Sequence, residues 1–459
     1  MSKASCSSGG ANQAANESNE GELKWWQLSL IGVGCTIGTG YFLGSSIGIS
    51  ITGPSIVFSF ILAALGTYLV FNALAKMTAE DPQKGSFCYY AGKAYGKWAE
   101  FSCGWNYWFS NILVMGSQLT ALSILSRFWF PNVALWIFAS GYAIIAIIVV
   151  LAGTKGFDKM EDILAIVKFA AIVMFIILAV SGLFGWIGGE AKQTHFPHTA
   201  DELFSGGFKG FWSSLIYAFY AYGGIEVIGL MSMQLQKKED APKAGKIMLL
   251  GLTVVYVLSL GLAVTMASLH SFHEKESPFV TALADYHLAF FPHVFNGAII
   301  IAGFSTMTAS LYGVTSLLVT LAEEGDAPSS FAKKSKKLKN IPIASLGLAA
   351  AGLLASIITA LLLPGKIYEY ITTAAGILLL YNWIFIITSS FRILKYTLWN
   401  KIFSFVGLFL ILAAISGTLL EKEVRPGFFV SILFVFVIFL VCLRMKKFWK
   451  KSKSQIRYY

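Results

Sequence analysis

Charged side chains are scarce in this chain. Only 13% of its 459 residues are Asp, Glu, Lys or Arg, whereas 56% are hydrophobic and the mean hydropathy is +0.67. A typical soluble domain carries roughly 25% charged residues. Apolar runs long enough to cross a bilayer recur along the whole chain. The composition excludes a soluble globular protein and indicates an all-α polytopic membrane protein.

The sequence also contains none of the motifs that would indicate an enzyme. It has no HExxH, no Walker loop and no buried pairing of His with a carboxylate or with Cys. Its six histidines fall in or beside two long loops between apolar runs, where solvated surface histidines are favoured over a metal site. We therefore expect no enzymatic activity, no bound cofactor and no metal.

Twelve membrane spans are predicted, together with a polar segment before them and a basic one after them. The spans lie near 28–50, 54–76, 98–122, 133–152, 162–185, 211–232, 247–269, 295–320, 343–363, 367–390, 402–420 and 427–444. Residues 1–26 are predicted to be a disordered tail. They lack the basic, apolar and cleavage regions of a signal peptide. Residues 446–459 form a basic tail.

Basic residues are distributed unevenly between the two sides of these spans. Of the 35 Lys and Arg residues, 26 fall on the side of the two termini and 7 on the other side. The positive-inside rule therefore places both termini in the cytoplasm of a bacterial cell, with the spans in its cell membrane. The net charge of +11 is explained by topology and contact with membrane lipid, so no nucleic-acid partner is expected.

The first span contains five glycines within thirteen residues: Gly32, Gly34, Gly38, Gly40 and Gly44. A nucleotide-binding loop is excluded because the spacing has one residue too many for GxGxxG and no βαβ pattern surrounds it. Close helix packing through the GxxxG spacings is one explanation. The glycine density favours another, a helix broken inside the membrane so that its backbone groups line a site.

A second interruption supports the broken-helix interpretation. Span six reads YAFYAYGGIEVIGL, with Gly223 and Gly224 at its centre and Glu226 directly after them. Paired breaks five spans apart are typical of an inverted repeat. We predict a ten-helix core at 27–391, built from repeats at roughly 27–186 and 206–391, followed by two accessory helices at 400–445.

Several motifs make the chain resemble bacterial amino acid permeases of the amino acid–polyamine–organocation superfamily. They are GCTIGTGYFLGSSIGISITGP at 34–54, GSFCYYAGKAYGKWAEFSCGWNYW at 85–108, YAYGGIEVIGL at 220–230, SPFV at 277–280 and LAEEGDAPSSFAK at 321–333. The resemblance covers nearly everything after the tail. It implies a leucine-transporter-like fold and transport by alternating access.

The resemblance also implies where an amino acid would bind. Its α-carboxylate would meet backbone N–H groups of Cys35, Thr36 and Gly38. Its α-ammonium would meet carbonyls of Ile31, Gly32, Phe219 and Tyr222 at the two breaks. The aromatic ring of Tyr220 would help to shape the side-chain pocket, although ordinary core packing explains each aromatic residue alone.

Lys168 lies about one and a half turns into span five and has two interpretations. It could extend towards the lipid headgroups. It could instead be buried, where a lysine loses and regains a proton near neutral pH. Superfamily members that couple to protons without sodium carry a lysine at this position, in the place of a sodium ion between spans one and eight. The resemblance therefore implies proton coupling through Lys168.

The chain departs from the family pattern at residues that serve cytoplasmic gating in relatives. Lys76 and Gln234 stand where many relatives have glutamate, and Ser316 where they commonly have arginine. Glu100 replaces a usual small residue. We therefore expect a rearranged Lys76–Glu100 ion pair, with Glu226 as a further gating or structural group.

These observations predict a secondary active transporter that imports a neutral amino acid with a proton, using the proton motive force. An exchanger and a carrier of basic amino acids or polyamines remain alternatives within transport. A nutrient receptor that no longer transports is the alternative from another class. A channel is disfavoured because the spans lack polar stripes. The sequence names neither the amino acid nor an oligomeric state.

Overall fold

A computed structural model describes residues 23–83, 85–152, 154–187, 194–273, 275–286, 288–335, 341–362 and 366–456. These residues are nearly all helical. Two isolated bridges, Leu23 with Leu235 and Ser335 with Ile341, are the only β-type pairings in these ranges. The prediction of an all-α protein is confirmed.

Eighteen α-helices lie in the described ranges. They are α1 (Trp25–Thr36), α2 (Thr39–Phe42), α3 (Gly44–Thr52), α4 (Ile56–Glu80), α5 (Ser86–Tyr95), α6 (Lys97–Ser126), α7 (Leu135–Ala152), α8 (Thr154–Leu183), α9 (Ala200–Leu203), α10 (Gly207–Ala221), α11 (Glu226–Met231), α12 (Ala241–Met266), α13 (Pro278–Leu283), α14 (Phe291–Glu323), α15 (Ile343–Leu362), α16 (Ile367–Ile393), α17 (Leu398–Gly417) and α18 (Arg425–Ile456).

Ten helical segments among the described residues are long and apolar enough to cross a membrane, and Ile343–Thr359 is a shorter apolar helix. The number differs from the predicted twelve for two reasons. Unwound residues split the first predicted span, and its second half runs with α4 as one segment, Thr39–Glu80. The ninth span is the shorter helix. The chain is a multi-pass membrane protein, and the count of twelve stays a prediction.

The structured part extends further towards both ends than the sequence indicates. Residues 1–22 lie outside the described residues, but Leu23 donates its N–H to the Gln234 carbonyl at 2.9 Å and α1 begins at Trp25. The predicted disorder therefore does not reach residue 26. At the other end, α18 continues to Ile456 through most of the predicted basic tail.

The buried interior of the bundle is formed by the helices that carry the two breaks and those packed around them. Helix α6 lies against α14 and α16, α10 against α3 and α4, and α1 against α12. By contrast, α18 keeps most of its surface exposed, as expected of a lipid-facing accessory helix. The division into inverted repeats and accessory helices stays a prediction.

Candidate functional site

The first predicted break lies at Ile37 and Gly38. Helix α1 ends at Thr36, the two residues after it have extended backbone dihedrals, and α2 begins at Thr39. Inside a membrane such backbone is tolerated only where protein or a cavity surrounds it. Here Gln118 on α6 accepts from the Thr39 N–H at 3.2 Å and from its hydroxyl at 2.6 Å. The Tyr368 hydroxyl donates to the Thr39 carbonyl at 3.0 Å.

The second break lies between α10 and α11, at residues 222–225. Gly224 has a φ of +110°, a conformation that residues with a β-carbon rarely adopt. A β-carbon there would also lie 3.1 Å from the Cys35 carbonyl oxygen and 3.2 Å from the Thr36 hydroxyl. Glycine is therefore required both for the turn and for the close approach of the two broken spans.

The two breaks face one cavity of about 70 Å³ in the centre of the bundle. Its wall is formed by both breaks together with residues of α6, α8, α14 and α16. The lining residues are Cys35, Thr36, Gly38, Gly40, Tyr107, Ser110, Asn111, Val114, Gln118, Lys168, Tyr220, Ala221, Gly223, Gly224, Glu226, Val227, Thr306, Ala309, Ser310 and Leu379. Small-molecule pockets typically measure roughly 300–1,000 Å³, so this cavity is contracted and must widen around a ligand.

Lys168 projects from α8 into the cavity wall and is fully buried. Its Nζ donates to the Gly34 carbonyl oxygen at 2.9 Å and to the Thr306 hydroxyl at 3.2 Å. Gly34 lies one turn before the first break, and Thr306 lies on α14. Since the side chain is buried between spans one, five and eight, the alternative in which it extends to the headgroups does not describe this structure.

Glu226 begins α11 and is the acidic residue among those that line the cavity. Its carboxylate accepts from the Gly224 N–H at 3.0 Å and from the indole N–H of Trp383 on α16. Burying a carboxylate is costly unless donors of this kind satisfy it. Glu226 therefore holds the turn at the second break and links it to α16.

Four of the predicted substrate-binding residues line the cavity: Cys35, Thr36, Gly38 and Tyr220. The Tyr220 hydroxyl bonds Ser117 at 2.7 Å, and its ring lies against Gly40, where a β-carbon would come within 2.7 Å of it. The ring therefore forms a wall of the cavity because glycine leaves room for it.

The other four predicted binding residues lie outside the cavity wall. Gly32 packs against Met248 on α12, with its carbonyl accepting the Thr36 hydroxyl at 2.8 Å, and Ile31 precedes it in the same continuous helix. The Phe219 carbonyl accepts the Tyr222 N–H at 3.0 Å. The rings of both aromatic residues are buried in the core. The carbonyls of Gly32 and Phe219 therefore already accept hydrogen bonds from groups of their own helices.

Sequence reasoning missed the polar residues that the other helices supply to the cavity. Gln118, Ser110 and Asn111 come from α6, and Thr306 and Ser310 from α14. A signal was available, since a glutamine in an apolar span is expensive unless it has a function. Serine and threonine give no such signal, because they commonly bond the carbonyl one turn earlier, as Thr306 does with Ala302 at 3.0 Å.

The expected Lys76–Glu100 ion pair is wrong. Lys76 Nζ lies 3.4 Å from the Asn400 amide oxygen at the start of α17 and 5.9 Å from the centre of the Tyr396 ring. Glu100 instead pairs with Lys97 one turn earlier in α6, at 3.4 Å. Lys97 also contacts Asp326 at 3.0 Å, so the ion pairs at this end of the bundle join α6 to the loop after α14. The pairing was missed because Asp326 is distant in sequence.

The remaining departures from the family pattern lie at the same end of the bundle as the termini. Gln234 is nearly buried, and its carbonyl accepts the Leu23 N–H, so it holds the segment before α1. Ser316 is buried within α14. Neither position carries a charge that could take part in a gate of ion pairs.

Comparison with known proteins adds to this geometry. A family model described as "Amino acid permease" matches residues 27–456. Uncharacterized transporter YcgH of Bacillus subtilis is 51% identical over 95% of this chain and 97% of its own. Aromatic amino acid transport protein AroP of Corynebacterium glutamicum is 29% identical over 83% of each chain. A D-serine/D-alanine/glycine transporter of Escherichia coli is 28% identical over 79% and 78%.

Among solved structures, the crystal structure of MhsT in complex with L-phenylalanine matches 84% of this chain and 98% of that one. The TM-score is 0.55 and the sequence identity 15%. Structural similarity at this sequence identity supports an inference about the fold alone. Two broken helices around a central cavity and this structural similarity define a membrane protein of leucine-transporter-like fold. The chain belongs to the amino acid permease family, and amino acid transport is therefore its general function.

Proposed function

We propose that this protein imports a neutral amino acid together with a proton, across the cell membrane and with both termini in the cytoplasm. The observation that carries the proposal is the position of Lys168. Its ammonium group is buried in the cavity wall and bonded to the Gly34 carbonyl and to Thr306. A cation at this point links the first broken helix to α14 without requiring a metal ion.

Protonation of Lys168 would change these two contacts. An ammonium group donates three charge-assisted hydrogen bonds, whereas a neutral amine donates weaker ones. Gly34 belongs to the first half of the broken span and Thr306 to α14. A change in the strength of these two hydrogen bonds therefore shifts the position that the broken helix prefers relative to α14. Such a shift is the physical basis for coupling a proton to a conformational change.

The charge balance of the cavity supports a neutral substrate. Lys168 and Glu226 both line it, and both contact protein groups. A buried charge on the substrate side chain would need a partner of its own, and the other lining residues are neutral. Tyr107, Tyr220, Val114 and Leu379 supply apolar and aromatic surface for a neutral side chain.

The relatives suggest which amino acids to try first. Two named relatives are an aromatic amino acid transport protein and a D-serine/D-alanine/glycine transporter. Labelled L-phenylalanine, glycine and D-serine are therefore the first probes, with L-lysine and putrescine testing the alternative of a carrier for basic compounds. An exchanger would require substrate on both sides, and a receptor would bind a probe without moving it.

The test is uptake into proteoliposomes with an imposed inward proton gradient. Wild-type protein should accumulate a neutral probe against its gradient and acidify the lumen. Lys168→Ala should abolish uphill accumulation while retaining detectable binding. Lys246→Ala, which changes an exposed lysine on α12, is the matched control and should behave as wild type. Unchanged proton-driven accumulation by Lys168→Ala would contradict the proposal.

A further inference from the structure

A second cavity, of about 650 Å³, lies on the side of the bundle, between α6, α16 and α18. We call it the lateral crevice. Residues that α6 and α18 contribute to its lining include Trp98, Ser102, Asn106, Phe439, Leu443 and Lys446. It shares no lining residue with the central cavity. Its volume falls within the range typical of small-molecule pockets.

The lateral crevice is bordered by apolar surface that faces the bilayer. Three of its lining residues keep about half of their surface exposed: Trp98 (48%), Phe439 (55%) and Leu443 (49%). The last two belong to the apolar segment Arg425–Lys446, which is long enough to cross a membrane. Exposed apolar surface on such a segment contacts lipid chains. The occupant of the crevice therefore enters from the bilayer, and part of it is apolar.

Lys446 gives one end of the lateral crevice a positive charge. The other lining residues among those described are uncharged, and within the described ranges the Lys446 ammonium group makes no ion pair. Lys446 also ends the segment that can cross the membrane, where a helix meets the lipid headgroups. Basic pockets between membrane helices bind anionic headgroups. The charge therefore selects a lipid with a negatively charged headgroup.

A buried polar group in the same wall indicates what else the lipid carries. Asn106 is 3% exposed, and its side-chain nitrogen donates to the Leu378 carbonyl at 2.7 Å. Its side-chain oxygen has no hydrogen-bond partner among the described residues. Ser102 and Asn106 follow Trp98 at intervals of about one helical turn, so the α6 wall presents polar groups inward from the end of the helix. A hydroxyl group on the lipid would satisfy the Asn106 oxygen.

We propose that the lateral crevice binds an anionic phospholipid whose headgroup carries hydroxyls, such as phosphatidylglycerol. Lys446 contacts the phosphate, the headgroup turns into the crevice so that Asn106 accepts one of its hydroxyls, and an acyl chain lies along the apolar surface of α18. The lipid thereby joins α18 to α6 and α16, two helices that also line the central cavity. The site depends neither on the substrate nor on the coupling ion of the proposed function.

Native mass spectrometry of the full-length protein in detergent counts the lipids bound to each chain. The probes are phosphatidylglycerol, phosphatidic acid and phosphatidylcholine with identical acyl chains. Phosphatidic acid keeps the negative charge without headgroup hydroxyls, and phosphatidylcholine has neither net charge nor hydroxyls. Wild type should retain one tightly bound phosphatidylglycerol. Its affinity should fall roughly fivefold when the hydroxyls are lost, and roughly fivefold again when the net charge is lost.

Matched substitutions on α18 assign the binding to the crevice. Leu443→Trp fills the crevice and should abolish tight binding, whereas Leu440→Trp changes an equally exposed residue outside it and should bind as wild type. Lys446→Gln should weaken phosphatidylglycerol binding roughly fivefold. Arg444→Gln removes the same charge from an exposed residue outside the crevice and should have little effect. Asn106→Leu should bind phosphatidylglycerol and phosphatidic acid equally.

Melting temperatures show whether each variant is folded, and phosphatidylglycerol should raise that of wild type more than that of Leu443→Trp. Equal phosphatidylglycerol binding by Leu443→Trp and Leu440→Trp would overturn the site. So would phosphatidylcholine bound by wild type as tightly as phosphatidylglycerol, or a dimer that retains no lipid because a second copy covers the crevice. Equal affinity of wild type for phosphatidylglycerol and phosphatidic acid would overturn the role of Asn106. All of these outcomes leave the proposed function to its own test by uptake.

Discussion

The two breaks in the bundle are stabilised in different ways. At the first break, Thr39 is held by side chains from distant helices, Gln118 on α6 and Tyr368 on α16. At the second break, Glu226 accepts from the N–H of Gly224, only two residues away, and from the indole N–H of Trp383 on α16. The bonds to Thr39 at the first break therefore all come from other helices, whereas Glu226 at the second break combines one bond within its own turn with one bond to another helix. A helix held by other helices responds to their movement, so the first break is the better candidate for the moving part.

The largest effect is expected at the second break, from Gly224→Ala. An alanine at φ +110° is strained by about 1–3 kcal/mol, and its β-carbon would press on the Cys35 carbonyl and Thr36 hydroxyl. Melting temperature and substrate binding should both fall. Gly251→Ala is the control, because this glycine lies in α12 and a β-carbon there meets nothing within 4 Å. Equal stability of the two variants would contradict the described turn.

A smaller loss is expected from Glu226→Gln. The amide keeps one acceptor but turns a donor towards either Gly224 N–H or the Trp383 indole, which costs about 1–3 kcal/mol when the group is buried. The loss should appear as a lower melting temperature.

A double-mutant cycle that combines Glu226→Gln with Trp383→Phe measures the coupling free energy between Glu226 and Trp383. Because they share a hydrogen bond, the combined loss should be smaller than the sum of the single losses. Strict additivity would show that the pair does not act together.

The first break should separate stability from transport. Tyr368→Phe removes one hydrogen bond to the Thr39 carbonyl and should cost about 0.5–1.5 kcal/mol. Gln118→Ala removes the acceptor for both the N–H and the hydroxyl of Thr39. If the first break moves, these variants should change the uptake rate more than Glu226→Gln does at equal loss of stability. Proteoliposome uptake plotted against melting temperature measures this.

The smallest effect is expected far from both breaks, at Asp326. Burial raises the pKa of this carboxyl above its ordinary value, although Lys97 opposes the shift. The folded state therefore binds the proton more tightly than the unfolded one, and stability falls as pH rises from about 4. Asp326→Asn should flatten this dependence in melting curves. A steeper decline in the variant would show that the ionised pair with Lys97 is net stabilising.

The sequence predicted the membrane class and both breaks, because apolar length and paired glycines are local signals. Individual glycines were harder to assign. Gly32 contacts Met248 and Gly40 contacts Tyr220, so their roles depend on residues of other helices. The same reason explains why Gln118 was missed and why Glu100 was given the wrong partner. Such contacts join residues far apart in sequence, and periodicity carries no information about them.

A single buried lysine has an energetic consequence for the cell. In the proposed mechanism, one amine would carry one proton per cycle, so a zwitterion moving with it would transfer one positive charge. Each unit of pH difference then supports roughly tenfold accumulation. Each 100 mV of membrane potential adds about 2.3 kcal/mol, or roughly 50-fold. A carrier coupled to protons through Lys168 would therefore use mainly the membrane potential to accumulate its substrate. In a membrane whose potential has been dissipated, only the pH difference would drive accumulation.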